Sequence, residues 1–283
     1  MSSSLAVNNE TALHVAVQYG HRHIVQYLLQ TGADPNARAR SPHPPTPQTL
    51  LPLHYAILYS DNLGIAKDLL AAGADPYVCP SAFRFACNEA RADIANLILD
   101  RSVTPYPMPY PSPDRGALIL SICMGFDYTT DRPSQLRLLR RVLNEDPSLV
   151  DTLDNWNADG ELMGPLRGTN PLIIIRLCQE LGSAKAAPLH ELLSGEVGNA
   201  DAIRLLLEHG ANVNVLTNTG ENALHLLAQG GEHADLEAAK VLVEYGIEVD
   251  ALNPNHAQNW TAYQIADDVE LKAYLASVTA RTN

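Results

Sequence analysis

The stretch Asn9–Ala37, NETALHVAVQYGHRHIVQYLLQTGADPNA, decides the fold. Its apolar residues fall in two short helical runs, each closed by a glycine. Thr11 is placed to cap the first run, its hydroxyl accepting a free backbone N–H, with polar His14 three positions on. Leu13, Ala16 and Val17 share one face at helical spacing until Gly20 stops the run. Ile24, Val25, Leu28 and Leu29 make the second face, which ends at Gly32, a residue that tolerates the left-handed backbone of a helix C-terminus. Asp34-Pro35 follows, and the proline bars any continuation. The pattern predicts helix, tight turn, helix, turn, at about the length of one repeat of a helix-pair solenoid.

The unit recurs. Leu53-His54-Tyr55-Ala56 with Leu69-Leu70-Ala71-Ala72-Gly73-Ala74-Asp75-Pro76 is a second copy, and Ala223-Leu224-His225-Leu226-Leu227-Ala228 with Val241 to Gly246 is a third. Leu205 to Asn214 is the second half of another. This recurrence resembles the ankyrin repeat, whose T-P-L-H-x-A signature is met by Thr11-Ala12-Leu13-His14-Val15-Ala16. The resemblance implies an all-α solenoid of stacked helix-turn-helix units forming one domain over residues 1–283. Regular repeats cover 5–101, divergent ones 114–219, and a sixth repeat with a C-terminal cap 220–283. It also implies that His14, His54 and His225 tie the turn of one repeat to the next.

Two proline-dense segments interrupt the stack. Arg40 to Pro47 lengthens the interval between the first two Leu-His pairs, and is read as a solvated loop extension. In 104–113 proline stands at every second position, which forbids helix and central strand. The third repeat has Phe83-Arg84-Phe85-Ala86 where Leu-His-x-Ala is expected. In the fourth, the second helix is expected over Pro133–Leu143 with Leu136, Leu139, Val142 and Leu143 inward. A long loop is expected over 151–168, an insertion over 181–198, and a truncated last unit from Trp260 to Ala276.

Residues 1–141 carry 12 Lys and Arg against 11 Asp and Glu, whereas 142–283 carry seven against 21, so the net charge of −13 lies in the second half. That balance argues against a nucleic-acid surface, which needs clustered cations. It suits solubility, or a basic partner docking on the C-terminal half. No apolar run reaches membrane-spanning length. MSSSLAVNNE has neither the basic start nor the apolar stretch of a secretory signal. Cys79, Cys87, Cys123 and Cys178 lack zinc-site spacing and are expected as buried free thiols in a reducing compartment, the cytoplasm or also the nucleus.

No phosphate loop, nucleophile elbow or HExxH is present, and no metal, cofactor or catalytic residue is assigned. His190-Glu191 is read as a surface pair. The resemblance implies recognition of another protein by a monomeric chain on the concave side. Carried over position by position, the contacts are Gln18, Tyr19, Tyr59, Asn88, Glu89, Met124 and Gln229. Turn tips at Asn8–Asn9, Arg38, Tyr77–Val78, Asn218–Thr219 and Asn253 accompany them. Tyr19 and Tyr59 in register suit an interface anchor. A second reading is an enzyme or small-molecule binder, for example of cyclase or isomerase type. Its pocket would be closed by the insertions of repeats three to five and lined by Tyr106, Tyr110, Asp127, Tyr128 and Trp156.

Overall fold

The computed structural model describes residues 9–40, 49–59, 63–77, 82–101, 118–119, 122–123, 125–126, 131–147, 199–216, 220–229, 234–254 and 259–282. The described residues fall into two compact units, 9–101 and 118–282.

In the first unit, α1 (Ala12–Gln18) and α2 (Arg22–Gln30) form the first helix pair, α3 (Pro52–Tyr59) and α4 (Leu63–Ala71) the second, and α5 (Ala82–Asn88) and α6 (Ala92–Arg101) the third. First helices pack on first helices (α1 on α3, α3 on α5) and second on second (α2 on α4, α4 on α6). Each pair is too short to bury its own apolar stripe, so stacking supplies the core. Leu13, Val17, Leu53, Ile65, Leu69, Ile94 and Ile98 are each at most 1% exposed. Such a side chain contributes about 1.5–3 kcal/mol relative to leaving it in water.

Thr11 caps α1 as expected, within a reciprocal capping box with His14. The signature histidines thereby gain a local role: their Nδ1 accepts a backbone N–H three residues back. His14 Nδ1 lies 3.2 Å from Thr11 N, and His54 Nδ1 lies 3.1 Å from Leu51 N. His14 meets the next pair through its ring, edge-on to Tyr55 with centroids 4.9 Å apart, and His54 repeats this with Phe85 at 5.3 Å.

Turns are stitched by asparagine. Asn36 Nδ2 donates to the Gly73 carbonyl (3.0 Å) while its Oδ1 accepts the Asp75 N–H (2.8 Å). The structure adds strands to the helical plan. β1 (Ala39–Arg40) pairs antiparallel with β2 (Thr49–Leu50), with Ala39 opposite Leu50. The lengthened interval between the first two pairs accommodates it. The proline-dense residues 41–48 lie outside the described residues.

The second run is less buried than its spacing suggests. Of the expected face only Val25 is buried, and Ile24 is 39% exposed. Ile94 at the equivalent place in α6 is fully buried. The difference follows from stacking order, since α2 has α4 on one side and no preceding pair among the described residues on the other.

In the second unit, Leu118, Ile119, Ile122, Cys123 and Phe126 are buried in helical backbone. Helix α7 (Arg132–Glu145) follows, capped by Asp131, whose carboxylate accepts the Ser134 N–H at 3.2 Å. Its inward face is Gln135, Leu138, Leu139, Val142 and Leu143 rather than one including Leu136. Gln135 is accommodated in the inward place because its amide donates to the Ile122 carbonyl, which satisfies a buried polar group.

Next come α8 (Ala200–Glu208), α9 (Ala223–Ala228), α10 (Leu236–Glu244), α11 (Ala262–Ile265) and α12 (Val269–Thr282). α8 packs on α7 and α10, α9 on α11, and α10 on α12. The last pair is lopsided, with a first helix of 4 residues and a second of 14 that runs past the expected end at Ala276. His225 ties the turns as the resemblance implies, its Nε2 3.0 Å from the Ala251 carbonyl. Asn214 repeats the bridge of Asn36, with Nδ2 donating to the Gly246 carbonyl (3.3 Å) and Oδ1 accepting the Glu248 N–H (2.9 Å).

One turn position recurs in both units. Asn9, Gly220 and Asn259, each two residues before the caps Thr11, Asn222 and Thr261, have φ of 54°, 84° and 49°. This left-handed backbone suits asparagine and glycine. Gly220 is further confined, because a Cβ there would lie 2.5 Å from Pro254 Cγ.

Candidate protein-binding face

In the first unit the candidate contacts sit where the first helix of each pair ends. Gln18–Tyr19, Leu58–Tyr59 and Asn88–Glu89 are equivalent positions of successive pairs. Tyr19 caps the C-terminus of α1 and is 67% exposed. Its ring stacks beside His21 at 6.3 Å, and His21 lies 6.3 Å from His23, giving an aromatic surface over the first turn. Gln18 is half-buried beside it.

Tyr59 is placed differently from Tyr19. It is half-buried, with its ring 5.6 Å from that of Tyr55. Tyr55 is fully buried, and its hydroxyl donates a 2.6 Å hydrogen bond to Glu10 Oε1 from the turn before α1. Burial pushes the Tyr55 phenol well above its ordinary range, and the bond to Glu10 and the charge of that carboxylate push it the same way. Burial first, then the Glu10 charge, raises Tyr59 as well. Both phenols therefore stay protonated and able to donate at neutral pH.

Glu89 is half-buried at the end of α5, and burial raises its carboxyl above the usual range. The residue after it, Ala90, has φ of 54° where Gly20 has 71° in the first pair. Asn88 closes α5, but its side chain lies outside what is described, as does Met124 altogether.

In the second unit Gln229 is exposed, and its Nε2 donates to Glu221 Oε1 at 2.6 Å. Asn253 Nδ2 donates to the same oxygen at 2.9 Å. This corrects the expected turn tip. Asn253 is 2% exposed, held inward by that bond and by its N–H to the Trp260 carbonyl (2.8 Å). The exposed tip is its neighbour Leu252. Asn9 and Arg38 are exposed and Tyr77 is half-buried, while Asn8, Val78, Asn218 and Thr219 lie outside the described residues.

Sequence reasoning missed Glu10 and Tyr55. A signal for Glu10 was present, since Asn9-Glu10-Thr11-Ala12-Leu13-His14 and Gly220-Glu221-Asn222-Ala223-Leu224-His225 share the glutamate before the cap. In both places it accepts a side-chain hydrogen bond, Glu10 from Tyr55 of the next pair and Glu221 from Gln229 at the end of α9. Tyr55 occupies the variable signature place held by Val15, which is 41% exposed, so nothing local announced its burial.

Tyr106, Tyr110, Asp127, Tyr128, Trp156 and the pair His190-Glu191 lie outside the described residues, as do Cys79 and Cys178. Among the described residues no three His, Cys, Asp or Glu side chains are grouped to hold a metal ion, and no helix is long and apolar enough to cross a membrane. Cys87 and Cys123 are buried free thiols, and burial raises the Cys87 thiol far above its ordinary range. The described face offers exposed rings and hydrogen-bonding groups on rigid helix ends, which suits binding.

A family model described as ankyrin repeats, in three copies, matches residues 3–79, 142–253 and 189–270. No curated protein sequence matches. Among solved structures, the human ASB11 ankyrin repeat domain is similar with a TM-score of 0.54 and 17% identity, covering 95% of this chain and 97% of that one. The ankyrin repeat domain of Bcl-3, described as a unique member of the IkappaB protein family, gives a TM-score of 0.52 at 18% identity, covering 95% and 99%. At these identities the likeness concerns the fold alone.

Proposed function

This chain belongs to the ankyrin-repeat family, and from that premise we propose that it is a protein-binding module whose partner seats on first-helix ends and turn tips, with Tyr19 and Tyr59 as anchors in the first unit. Ankyrin-repeat domains are generally protein–protein interaction modules. The observation that carries the finer reading is Tyr19, a large amphipathic ring 67% exposed at the end of a helix whose opposite face is buried. A rigid tyrosine gives contact area at little entropic cost, and its hydroxyl adds a hydrogen bond. Tyr59 presents a second phenol at the equivalent place one pair further on, held by Tyr55. The buried thiols of Cys87 and Cys123 favour a reducing compartment, the cytoplasm or nucleus, and the chain acts as a monomer.

The test is affinity capture from an extract of the native source with the full chain, read by quantitative mass spectrometry. Tyr19→Ala is the clean variant, because the residue is 67% exposed and its ring stacks beside the exposed His21. A protein retained by the wild type and lost at least tenfold by Tyr19→Ala, with the melting transition unchanged, supports the placement. Equal retention by both overturns it.

A further inference from the structure

The turns of the second unit hold two leucines in solvent at equivalent positions. Asn214 sets their register, since its contacts with Gly246 and Glu248 lock the turn after α8 to the turn after α10. Leu216 stands two residues past Asn214, and Leu252 two past its counterpart Asp250. They are 52% and 59% exposed. The packing of these turns is carried by other residues, Ile247 at 5% exposure and Asn253 at 2%. Asn214 joins the two turns directly, so the leucines stand on neighbouring turns one repeat apart, as a short apolar ridge.

The border of the ridge carries one sign of charge. The described residues of these turns, 210–216, 220–222, 246–254 and 259–261, include Glu221, Glu248 and Asp250 and no lysine or arginine. Glu248 and Asp250 are exposed, and Asp250 accepts a 3.2 Å hydrogen bond from Thr279. Two of the cations of this unit are engaged on the second helices: Arg204 with Glu244 at 2.9 Å and Lys240 with Glu237 at 2.6 Å. An apolar ridge edged by carboxylates repels phosphate-rich surfaces and complements a segment with apolar and basic side chains.

We propose that the Leu216–Leu252 ridge is a docking surface for a basic amphipathic segment of a partner protein. Its apolar side chains cover the two leucines, and its Lys or Arg side chains face Glu221, Glu248 and Asp250. This rests on the protein-binding reading and supplies the partner's chemistry in the second unit.

A displayed library of random peptides is selected on the full chain, and the enriched peptides are synthesised and titrated by fluorescence anisotropy. Selected peptides should combine Lys or Arg with Leu, Ile or Phe. Their dissociation constant should rise at least tenfold for L216S/L252S, and severalfold for E248Q/D250N or when salt is raised from 50 to about 200 mM. The leucines are exposed, so L216S/L252S should keep the wild-type melting transition. Enrichment of acidic or purely apolar peptides overturns the proposal, as does unchanged affinity in L216S/L252S or the absence of any bound peptide. If extract proteins are still retained through Tyr19 while the ridge variants bind normally, only the ridge fails. If nothing is retained by either route, the protein-binding reading fails with it.

Discussion

The hydroxyl of Tyr55 in α3 donates a 2.6 Å hydrogen bond to Glu10 Oε1, from the turn before α1, while the tyrosine itself is fully excluded from solvent. One bond thus joins two helix pairs and braces the ring on which Tyr59 rests.

Tyr55→Phe removes the donor and keeps the ring. Glu10 is half-exposed and regains water, so the cost should be about 1 kcal/mol, near the low end for a bond to a charged group. Urea unfolding should show the loss in the midpoint with the slope unchanged. The variant also changes the alkaline limb. The phenol of Tyr55 is raised in the folded state, so the unfolded chain releases its proton first, near pH 10. Stability from this group is present below about pH 10 and is lost as pH rises beyond it. Tyr55→Phe should flatten that decline.

The acid side has the same origin, burial of a group that must charge, with the shift in the opposite direction. Burial lowers the ring pKa of His14 and of His225 below the usual histidine range. Below about pH 6.5 the unfolded chain takes up protons that these folded rings resist, so stability falls as pH drops through that point and levels off below the folded values. Protonation would also place hydrogen on Nδ1, which accepts from Thr11 N in one case and Asn222 N in the other. Midpoints of urea denaturation at pH 7.5 and 5.5 check the direction, and His225→Gln should reduce the difference.

Two backbone positions give opposite signs. Ala90 holds φ at 54°, where its Cβ is crowded, so Ala90→Gly should stabilise by about 0.5–1 kcal/mol. Gly220→Ala meets both a positive φ of 84° and a 2.5 Å approach to Pro254 Cγ, and should destabilise by more than about 1 kcal/mol. Thermal melts of the two variants against the wild type decide both.

Asn214→Ala removes a donor to the Gly246 carbonyl and an acceptor for the Glu248 N–H. The turns are exposed and water replaces part of the loss, which leaves about 1–2 kcal/mol. Because this is a coupling between neighbouring repeats, unfolding should become broader as well as earlier. An unchanged transition width would show that helix packing alone couples these repeats.

The sequence by itself determined the repeating unit. Thr11 and His14 as a capping pair, the apolar spacing of Leu13, Ala16 and Val17, and the stops at Gly20 and Gly32 are local rules of helix start, face and end, and the structure realises each of them. Local rules do not specify what lies across a face, and that was decided only in the tertiary structure. Ile24 and Ile94 have the same spacing but opposite exposure, because α6 packs on the preceding second helix α4, whereas α2 has no preceding pair among the described residues. Gln135 turned inward in place of Leu136 to meet a backbone carbonyl of another segment. The candidate face divides in the same way. Tyr19 could be read as an exposed ring from its place before a turn glycine, whereas Tyr59 depends on Tyr55, and Tyr55 on Glu10, 45 residues away. The ridge of Leu216 and Leu252 is set by Asn214, whose side chain reaches 32 residues along the chain to Gly246. Periodicity reports a residue's own helix, but burial and hydrogen bonding across repeats depend on a neighbour that only folding brings near.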